Sequence, residues 1–237
     1  MTKIICISDT HSDHDRLKNL PTEGDLIIHS GDCTHGGKFQ EFIIFMDWYS
    51  KLPYKHKVLI PGNHDFILQE MPVWAIDYAK ELGIHLLIDS GVEIEGFKIW
   101  GTPWVPYCGD WAYCTRDNVN MICAFNKIPL DTNILVSHGP PKGSFDNKYG
   151  SEHLASAVSF LKELKLHQFG HIHEAYGVTQ RYISGPGLCR GIVSKPFIVN
   201  AAMAGCKQHA YKNCASNHKP IVLELNSGKS DSSATTE

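Results

Sequence analysis

The sequence predicts an α/β protein in which two sheets are flanked by helices, and three observations favour this class. Short apolar, β-branched runs alternate with segments whose apolar residues recur at helical spacing. A middle region instead carries short strands joined by a tight turn, which is typical of an antiparallel hairpin. Five apolar runs end abruptly in polar residues, so chemically active groups are expected on turns that rigid strands hold in place.

The first part of the chain alternates between predicted strands and helices. Strands are expected over residues 3–8, 25–30 and 57–61, and helices over residues 12–18, 40–51 and 74–82. Gly83 provides a C-terminal stop for the third helix. This β-α-β-α order predicts a parallel sheet with helical crossovers, and functional groups gather at the carboxyl ends of the strands in such sheets.

The middle of the chain changes character, and the later strands predict a second sheet. Short strands are expected over residues 86–88, 92–94 and 97–100, and a Glu95-Gly96 turn separates the last two. An aromatic loop over 101–113, a strand over 133–137 and a helix over 151–164 follow. Strands over 197–200 and 221–225 are expected to close the second sheet. Residues 1–226 are therefore predicted to form one domain, and the Ser- and Thr-rich residues 227–237 a disordered tail.

Composition restricts the class of function. The chain has 237 residues, of which 43% are hydrophobic and 20% charged, as in ordinary globular domains. The net charge of -3 argues against extended nucleic acid or an anionic membrane as a partner. No apolar run is long enough to span a membrane, and no signal-peptide core follows Met1, so a cytoplasmic protein is expected. The 14 histidines are the outlier, because histidine is the commonest metal ligand.

The eight cysteines do not point to a disulfide framework or to a common type of zinc site. A long chain in a reducing compartment is expected to keep its thiols reduced. The pattern that comes nearest to a zinc site is Cys206, His209, Cys214 and His218, which matches no common finger spacing. Buried or surface thiols are therefore the favoured interpretation.

Polar side chains with the chemistry of metal ligands gather at the predicted strand ends. They are Asp9, His11, Asp32, Asn63, His64, His138, His171 and His173. Residues two apart lie on one side of an extended segment, so Asp9/His11 and His171/His173 are each expected to form a pincer. Taken singly, each motif favours an ordinary turn. Five such motifs together favour two metal ions that share a carboxylate, with one group left for catalysis.

Five motifs resemble the signature blocks of the calcineurin-like metallophosphoesterases. They are Asp9-Thr10-His11, Gly31-Asp32, Gly62-Asn63-His64-Asp65, Ser137-His138-Gly139-Pro140-Pro141 and Gly170-His171-Ile172-His173. Gly101-Thr102-Pro103-Trp104, Asp110-Trp111-Ala112-Tyr113 and Val199-Asn200-Ala201-Ala202 resemble the metallophosphoesterase-domain-containing subfamily, which is similar to class III cyclic-nucleotide phosphodiesterases. The resemblance implies a four-layer α/β/β/α sandwich of two mixed sheets flanked by helices.

The resemblance also implies a role for each residue of the site. It assigns Asp9, His11 and His173 to one metal ion and Asn63, His138 and His171 to a second, and Asp32 bridges both. The implied ions are divalent Mn, Fe, Zn, Ni or Co, of which Mn is favoured. His64 is left off the metals, beside the phosphate. Asp65 stands where close relatives often have Glu.

These residue types suggest a hypothesis for phosphodiester hydrolysis. Two cations about 3.5–4 Å apart neutralise the phosphate and lower the pKa of a shared water. In-line attack by the metal-bridging hydroxide is then expected, and His64 stabilises the transition state or protonates the leaving oxygen. The carboxylate of Asp65 is expected to set the tautomer of His64.

The aromatic loop holds the candidate substrate contacts. Its large rings are Trp104, Tyr107, Trp111 and Tyr113, which suit stacking on a purine, although packing against the core is favoured for each singly. Arg116 is a candidate phosphate contact, with a solvated surface position equally consistent. His35 is expected in a turn rather than as a ligand.

The expected partner is a small phosphodiester or a nucleotide, with cyclic nucleotides among the candidates. A phosphomonoesterase or protein phosphatase is the rival within the enzyme class. A nucleotide-binding regulator or scaffold with weak turnover is the rival outside it. The sequence does not indicate the oligomeric state.

Overall fold

The computed structural model describes residues 1–17, 19–180, 195–204 and 218–228. The strands in these ranges are β1 Thr2–Ile7, β2 Leu26–His29, β3 His56–Leu59, β4 Ile84–Leu86, β5 Ser90–Ile94, β6 Phe97–Thr102, β7 Val105–Pro106, β8 Cys114–Thr115, β9 Ile134–Ser137, β10 Leu166–Phe169, β11 Gly177–Gln180, β12 Phe197–Asn200 and β13 Ile221–Leu225. The α-helices are α1 Phe39–Ser50, α2 Phe66–Glu70, α3 Pro72–Glu81, α4 Asn118–Phe125 and α5 Glu152–Val158. Single 3₁₀ turns cover His14–Arg16 and His173–Ala175.

The first sheet has the strand order β13-β1-β2-β3-β4. Strands β1 to β4 run parallel, with Ile5 opposite Ile27 and Ile28 opposite Val58, whereas β13 pairs antiparallel with β1. The crossover helices α1 and α3 join the parallel strands, as the alternating sequence pattern predicted. Parallel pairing brings the carboxyl ends of β1, β2 and β3 to one edge, and the turns that follow them therefore lie side by side.

The second sheet has the strand order β11-β12-β10-β9-β6-β5. Strands β12, β10, β9 and β6 run parallel, and β5 and β11 pair antiparallel at the two edges. The predicted hairpin joins β5 to β6 through Glu95 at φ 51° and Gly96 at φ 76°. Positive φ at both turn residues matches the right-handed twist of the strands, which explains the glycine.

Alternation along the strands sorts their side chains into separate layers. One face of each sheet meets the other sheet in a core that includes Ile4, Ile28 and Ile134. The outer face of the first sheet packs on α1 and α3 through residues such as Ile5 and Phe42. The outer face of the second sheet packs on α4 and α5. The four-layer arrangement of two mixed sheets and flanking helices is confirmed.

Gln168 on β10 ties the two sheets together just below the turns that carry the polar motifs. Its side-chain amide donates to the carbonyls of Ile7 and Ile28, each at 3.0 Å, although both belong to the opposite sheet. Buried polar groups need such partners, and these bonds hold the carboxyl ends of β1 and β2 against β10. The polar turns of both sheets are therefore held in a fixed relation.

Three expectations about elements are corrected by the structure. In place of the helix expected from residue 12, a single 3₁₀ turn covers His14–Arg16, because Asp13 makes no side-chain cap and Leu17 is already extended. The helix predicted to end at residue 164 ends at Val158, after which the chain continues in tighter i to i+3 turns. Strand β13 belongs to the first sheet, because it fills the free edge of β1.

Helix α4 was not predicted, although its sequence carries a signal. Asp117 accepts a hydrogen bond from the backbone N of Val119 at 2.8 Å, and Met121, Ala124 and Phe125 are buried at helical spacing.

No helix of the described ranges is long and apolar enough to cross a membrane. Of the Cys206, His209, Cys214 and His218 pattern, only His218 lies within the described residues, and of the predicted tail only 227 and 228 do.

Candidate metal centre

The turns after β1, β2, β3, β9 and β10 converge at one edge of the molecule. Backbone hydrogen bonds link them, because the Asp9 N–H donates to Gly31 O at 2.9 Å and the Gly170 N–H donates to His138 O at 2.9 Å. A Cβ atom at Gly62 would overlap Asp32, and one at Gly170 would overlap the carboxylate of Asp9. Glycine is therefore required at both positions for the turns to approach this closely.

Four of the polar residues on these turns have left-handed backbone conformations. The φ angles are 54° at Asp9, 44° at His11, 55° at Asp32 and 66° at His171. Such conformations are unfavourable for residues other than glycine and cluster at functional sites, where the surrounding fold enforces them. Asp9 and His11 still share one cluster, as expected, but the His171/His173 pincer, which assumed extended backbone, is corrected. His171 and His173 turn into different clusters, and His173 begins a 3₁₀ turn.

The first cluster consists of Asp9, His11 and His173, whose ligand atoms all lie within 4.8 Å of one another. The Nε2 atoms of His11 and His173 face each other at 3.3 Å, and His173 Nε2 lies 3.3 Å from Asp9 Oδ1. Burial lowers the pKa of His11 to about 4, which keeps this imidazole neutral and its lone pair available at neutral pH. Three donors thus point at a common position.

The second cluster consists of Asp32, His138 and His171, again with all ligand atoms within 4.8 Å. Asn63 joins it, because its Oδ1 lies 2.9 Å from His138 Nε2. The other ring nitrogen of His138, Nδ1, donates to the carbonyl of Ser30 at 2.9 Å, which orients the ring with Nε2 towards the cluster. The structure therefore brings together the amide, carboxylate and imidazoles expected at this position.

Asp32 lies between the two clusters and is shared by them. Its Oδ2 is 3.7 Å from His11 Nε2, and its Oδ1 is 3.4 Å from His138 Nε2. The backbone N–H of His64 donates to Oδ1 at 2.7 Å and holds the carboxylate in this orientation. One carboxylate with an oxygen directed at each donor set is the arrangement that a bridging ligand requires.

The electrostatics of the buried Asp32–His138 pair favour a positive charge beside the Asp32 carboxylate. Burial raises the pKa of Asp32, but the charge of His138 outweighs it and holds the pKa well below the usual range. Burial likewise lowers the pKa of His138, and the Asp32 charge overcomes this and raises it to about 10. Without metal, a proton on His138 therefore neutralises the bridging carboxylate. A divalent cation would take the place of that proton.

Comparison with known proteins defines the family. The sequence profile of the family described as "Calcineurin-like phosphoesterase" matches residues 2–175. The chain belongs to the calcineurin-like phosphoesterase family. Its relatives include human metallophosphoesterase domain-containing protein 1, which is 34% identical over 75% of this chain. UPF0046 protein C25E10.12 of Caenorhabditis elegans is also 34% identical over 75% of this chain, and the match covers 70% of that protein.

The match spans 62% of the length of the human relative, so this chain covers only part of that protein's length. A solved structure, TT1561 of Thermus thermophilus, shares the fold with a TM-score of 0.60 at 14% identity. The alignment covers 94% of this chain and 93% of that one. At this level of identity the likeness concerns the fold alone.

Calcineurin-like phosphoesterases use a dinuclear divalent metal centre, and the residues of this site fit one. Two donor sets share Asp32, and both consist of imidazole nitrogens with carboxylate or amide oxygens, which divalent transition metals accept. Asp9, His11 and His173 would hold one ion and Asn63, His138 and His171 the other. The ligand identities do not distinguish among Mn, Fe, Zn, Ni and Co.

His64 lies beside the two clusters but is a member of neither. Its Nδ1 donates to the backbone carbonyl of His35 at 2.7 Å, and the Trp111 indole stacks on its ring. The His11 ring meets it edge-on at 4.6 Å between centroids. His64 also forms a third compact group with His11 and Asp32, so its imidazole is adjacent to the bridging carboxylate.

The expected contact between Asp65 and His64 is corrected. The Asp65 carboxylate is buried and accepts hydrogen bonds from Gly62 N at 2.7 Å, Thr34 N at 2.9 Å and Thr34 Oγ1 at 2.6 Å. Cys33 adds bonds from its N and Sγ, each at 3.3 Å. Asp65 therefore links the turn after β2 to the turn after β3. The hydrogen bond that sets the tautomer of His64, which was expected from Asp65, is instead made by the carbonyl of His35.

The aromatic loop divides into packing residues and residues at the site. Trp104 donates from Nε1 to Asp89 Oδ2 at 2.8 Å and packs against the core, and Tyr113 is buried. Trp111 alone among the rings stacks on His64. Arg116 lies over the Tyr107 ring, with Cζ 3.6 Å from its centroid, so its guanidinium makes a cation–π contact at the surface.

Two supporting residues were missed by sequence reasoning. The carbonyl of His35 carries no sequence signal, because any residue provides one. Asn200, in the quoted Val-Asn-Ala-Ala motif, donates from Nδ2 to Ile172 O at 2.8 Å and accepts from Ala202 N at 3.1 Å. It thereby supports the turn between His171 and His173, and a polar residue ending a buried strand was the available signal.

Proposed function

We propose that this chain is a metal-dependent phosphodiesterase that hydrolyses small phosphodiesters, with nucleotides and cyclic nucleotides as the candidate substrate class. The single observation that carries the proposal is the position of Asp32, which directs one carboxylate oxygen towards each of two donor sets. Two cations held around one carboxylate stabilise an anionic phosphate in the transition state and supply a nucleophile at neutral pH. Mn is the favoured ion.

The protein residues complete the proposed chemistry around the phosphate. Because Nδ1 of His64 donates to His35 O, its Nε2 is the nitrogen available to the substrate. In the imidazolium form, Nε2 donates a proton to the leaving oxygen as the ester bond breaks. Trp111 and the His35 carbonyl restrict the ring to one orientation, and Asp65 holds the turns that carry Asp32 and Asn63.

Several features support a small substrate. Trp111 presents an aromatic ring beside His64, and Tyr107 carries the cation of Arg116 on its face. An aromatic surface beside a phosphate-binding centre suits a nucleobase. The net charge of -3 does not favour an extended polyanion. A cytoplasmic location belongs to the same proposal and is supported by the free thiols of Cys6 and Cys33 in the core.

The experiment is a comparison of three substrates with the full chain, freed of metal and reloaded with Mn²⁺. Bis-p-nitrophenyl phosphate is expected to be hydrolysed faster than p-nitrophenyl phosphate, and cyclic AMP is expected to be opened to a monoester. Asp32→Ala is the matched loss-of-site variant, and the surface variant Asp47→Ala is the control.

Each outcome assigns a class. Faster hydrolysis of the monoester would replace the proposal with a phosphomonoesterase or protein phosphatase. Stoichiometric binding of a mononucleotide with no turnover of any substrate would replace it with a nucleotide-binding regulator. Turnover that persists in Asp32→Ala would show that the dinuclear site is not responsible.

A further inference from the structure

Two cysteine side chains meet beside the metal centre. The Sγ atoms of Cys108 and Cys114 lie 3.0 Å apart, and both thiols are free. Cys108 is exposed and Cys114 half-buried. Cys108 follows the short strand β7 and Cys114 begins β8, and these two strands pair with each other. The pairing therefore holds the two thiols together at the base of one loop.

The loop between the thiols, Gly109 to Tyr113, contacts the candidate metal centre. Trp111 stacks on His64 from this loop, and the Ala112 N–H donates to the backbone carbonyl of Asn63 at 3.0 Å. The loop between the thiols is thus connected to His64 and to Asn63 of the second cluster.

The remaining described cysteines differ from this pair in their surroundings. Cys6 and Cys33 are fully buried in the core, where reagents do not reach them. Cys123 is an exposed free thiol on α4 and provides an internal comparison for reactivity that depends on exposure alone. Reactivity that is specific to a thiol pair should therefore separate Cys108 and Cys114 from Cys123.

We propose that Cys108 and Cys114 are a redox-active dithiol that exchanges with low-molecular-weight disulfides of the glutathione class. The exposed Cys108, as its thiolate, attacks one sulfur of the oxidised glutathione, forms a mixed disulfide and releases one glutathione thiolate. Cys114 then loses its proton, attacks Cys108 Sγ and releases the second glutathione. The protein loses two protons and two electrons, and one glutathione disulfide becomes two glutathiones.

The disulfide closes a ring around the loop that carries Trp111. A covalent link between the ends of a short loop reduces its conformational freedom. The Trp111 ring and the Ala112 N–H are then retained against His64 and Asn63, whereas the reduced loop is held by hydrogen bonds and packing alone. The redox state of the pair therefore sets the mobility of one wall of the site.

The sequence allows a direct chemical test. A single tryptic peptide, residues 99–116, contains Cys108 and Cys114 and no other cysteine. The full chain is equilibrated with mixtures of reduced and oxidised glutathione, and its remaining thiols are alkylated. The protein is then digested with trypsin, and the mass of the peptide is measured by mass spectrometry. The expected result is a peptide lighter by two hydrogens that has lost both alkylation sites, in a fraction that follows the glutathione ratio and reverts with a reductant.

Variants separate the pair from ordinary surface thiols. Cys123→Ser is expected to leave the internal disulfide unchanged, whereas Cys108→Ser is expected to abolish it. Two alkyl groups on peptide 99–116 at every glutathione ratio would overturn the proposal, and so would glutathione adducts on these cysteines without an internal disulfide. These readouts do not depend on hydrolytic activity, so they stand or fall separately from the proposed function.

Hydrogen exchange tests the effect on the loop. The amides of Ala112 and Cys114 are expected to exchange more slowly in the oxidised protein than in the reduced protein. Their hydrogen bonds to the carbonyls of Asn63 and Trp111 should open less often when the disulfide closes the loop. Amides of α1, far along the chain, serve as the control segment. Equal exchange of the loop in both redox states would overturn the link between the thiol pair and the site wall.

Discussion

The indole of Trp111 lies almost parallel to the imidazole of His64, with ring centroids 4.2 Å apart and planes inclined by 29°. Together with the hydrogen bond from Nδ1 to the His35 carbonyl, this contact leaves His64 one orientation. The imidazole that the proposed mechanism places beside the phosphate is thus held by an aromatic neighbour and a backbone carbonyl.

Removal of the stacked ring should reduce turnover more than substrate affinity. We expect Trp111→Ala to lower kcat by about fivefold, because an aromatic pair contributes about 1 kcal/mol of orientation. Trp111→Phe should restore most of the loss, since a second aromatic ring can stack on His64. Steady-state kinetics with bis-p-nitrophenyl phosphate measures the split. A rise in KM with unchanged kcat would leave Trp111 as a substrate contact only and would contradict its role in orienting His64.

Substitution of His64 should separate catalysis from metal binding. His64→Ala is expected to lower kcat by about 10²-fold, the usual contribution of a general acid, while both ions remain bound. Elemental analysis of the purified variant and its turnover are the two measurements. Wild-type turnover in the variant would contradict the assigned role, and so would the loss of either ion.

Substitution of the shared carboxylate should lower the metal content more than substitution of a ligand that belongs to one cluster only. Asn63→Ala removes an oxygen from the second cluster only, so the first ion is expected to remain. Asp32→Ala removes a ligand from both clusters and is expected to lose both ions. Metal content after dialysis at equal free Mn²⁺ distinguishes the variants. Full loading of Asp32→Ala would rule out a bridging role.

Asp65 should support the metal ligands rather than His64. In Asp65→Asn, an amide NH₂ would meet N–H donors from Gly62 or Thr34, which costs about 1–3 kcal/mol of unfolding free energy. Displacement of the two turns should weaken metal binding about 10–100-fold. Chemical unfolding and Mn²⁺ titration measure both, with the surface variant Asp47→Asn as control. Unchanged metal affinity would show that the turns stay in place without Asp65.

A buried histidine outside the metal centre should make the fold sensitive to acid. His167 is fully buried, its Nε2 lies 2.8 Å from Ser137 Oγ, and burial lowers its pKa to about 3. The unfolded chain, with a pKa near 6.5, therefore binds this proton more readily than the folded one. Stability from the neutral imidazole is complete above about pH 6.5 and is lost towards pH 3, by about 1.4 kcal/mol for each pH unit.

The comparison of variants isolates this contribution. His167→Gln should show a shallower loss of unfolding free energy than the wild type as the pH falls from about 6.5 to 4. Denaturant unfolding of the metal-free proteins measures the difference, with His153→Gln as the matched control. Parallel curves for wild type and His167→Gln would remove His167 as the cause.

Local patterns predicted most of the scaffold. The strands that carry the site are short apolar runs that end in polar residues. Both the positions of these strands and the candidate metal ligands that follow them could therefore be predicted from the sequence. The missed elements were those with weak local signals, such as α4 and the short pair β7 and β8. Strand β13 was assigned to the wrong sheet, because its alternating pattern fits the edge of either one.

The relations between residues were less predictable than their identities. The pincer hypothesis held for Asp9 and His11 but failed for His171 and His173, because His171 adopts a left-handed backbone conformation that local preferences disfavour. Asp65 was assigned to its neighbour His64, whereas the fold directs it to Thr34 and Gly62. The Cys108–Cys114 contact had no motif at all.

By itself, the sequence determined which residues can ligate metal, which strands present them and which family signature they form, because apolar runs, turns and ligand chemistry are local properties of the chain. The tertiary structure decided which residues face each other. His11 and His173 are 162 positions apart, yet their Nε2 atoms lie 3.3 Å from one another. That distance depends on how two sheets pack and twist across a shared core, and no stretch of neighbouring residues encodes it alone.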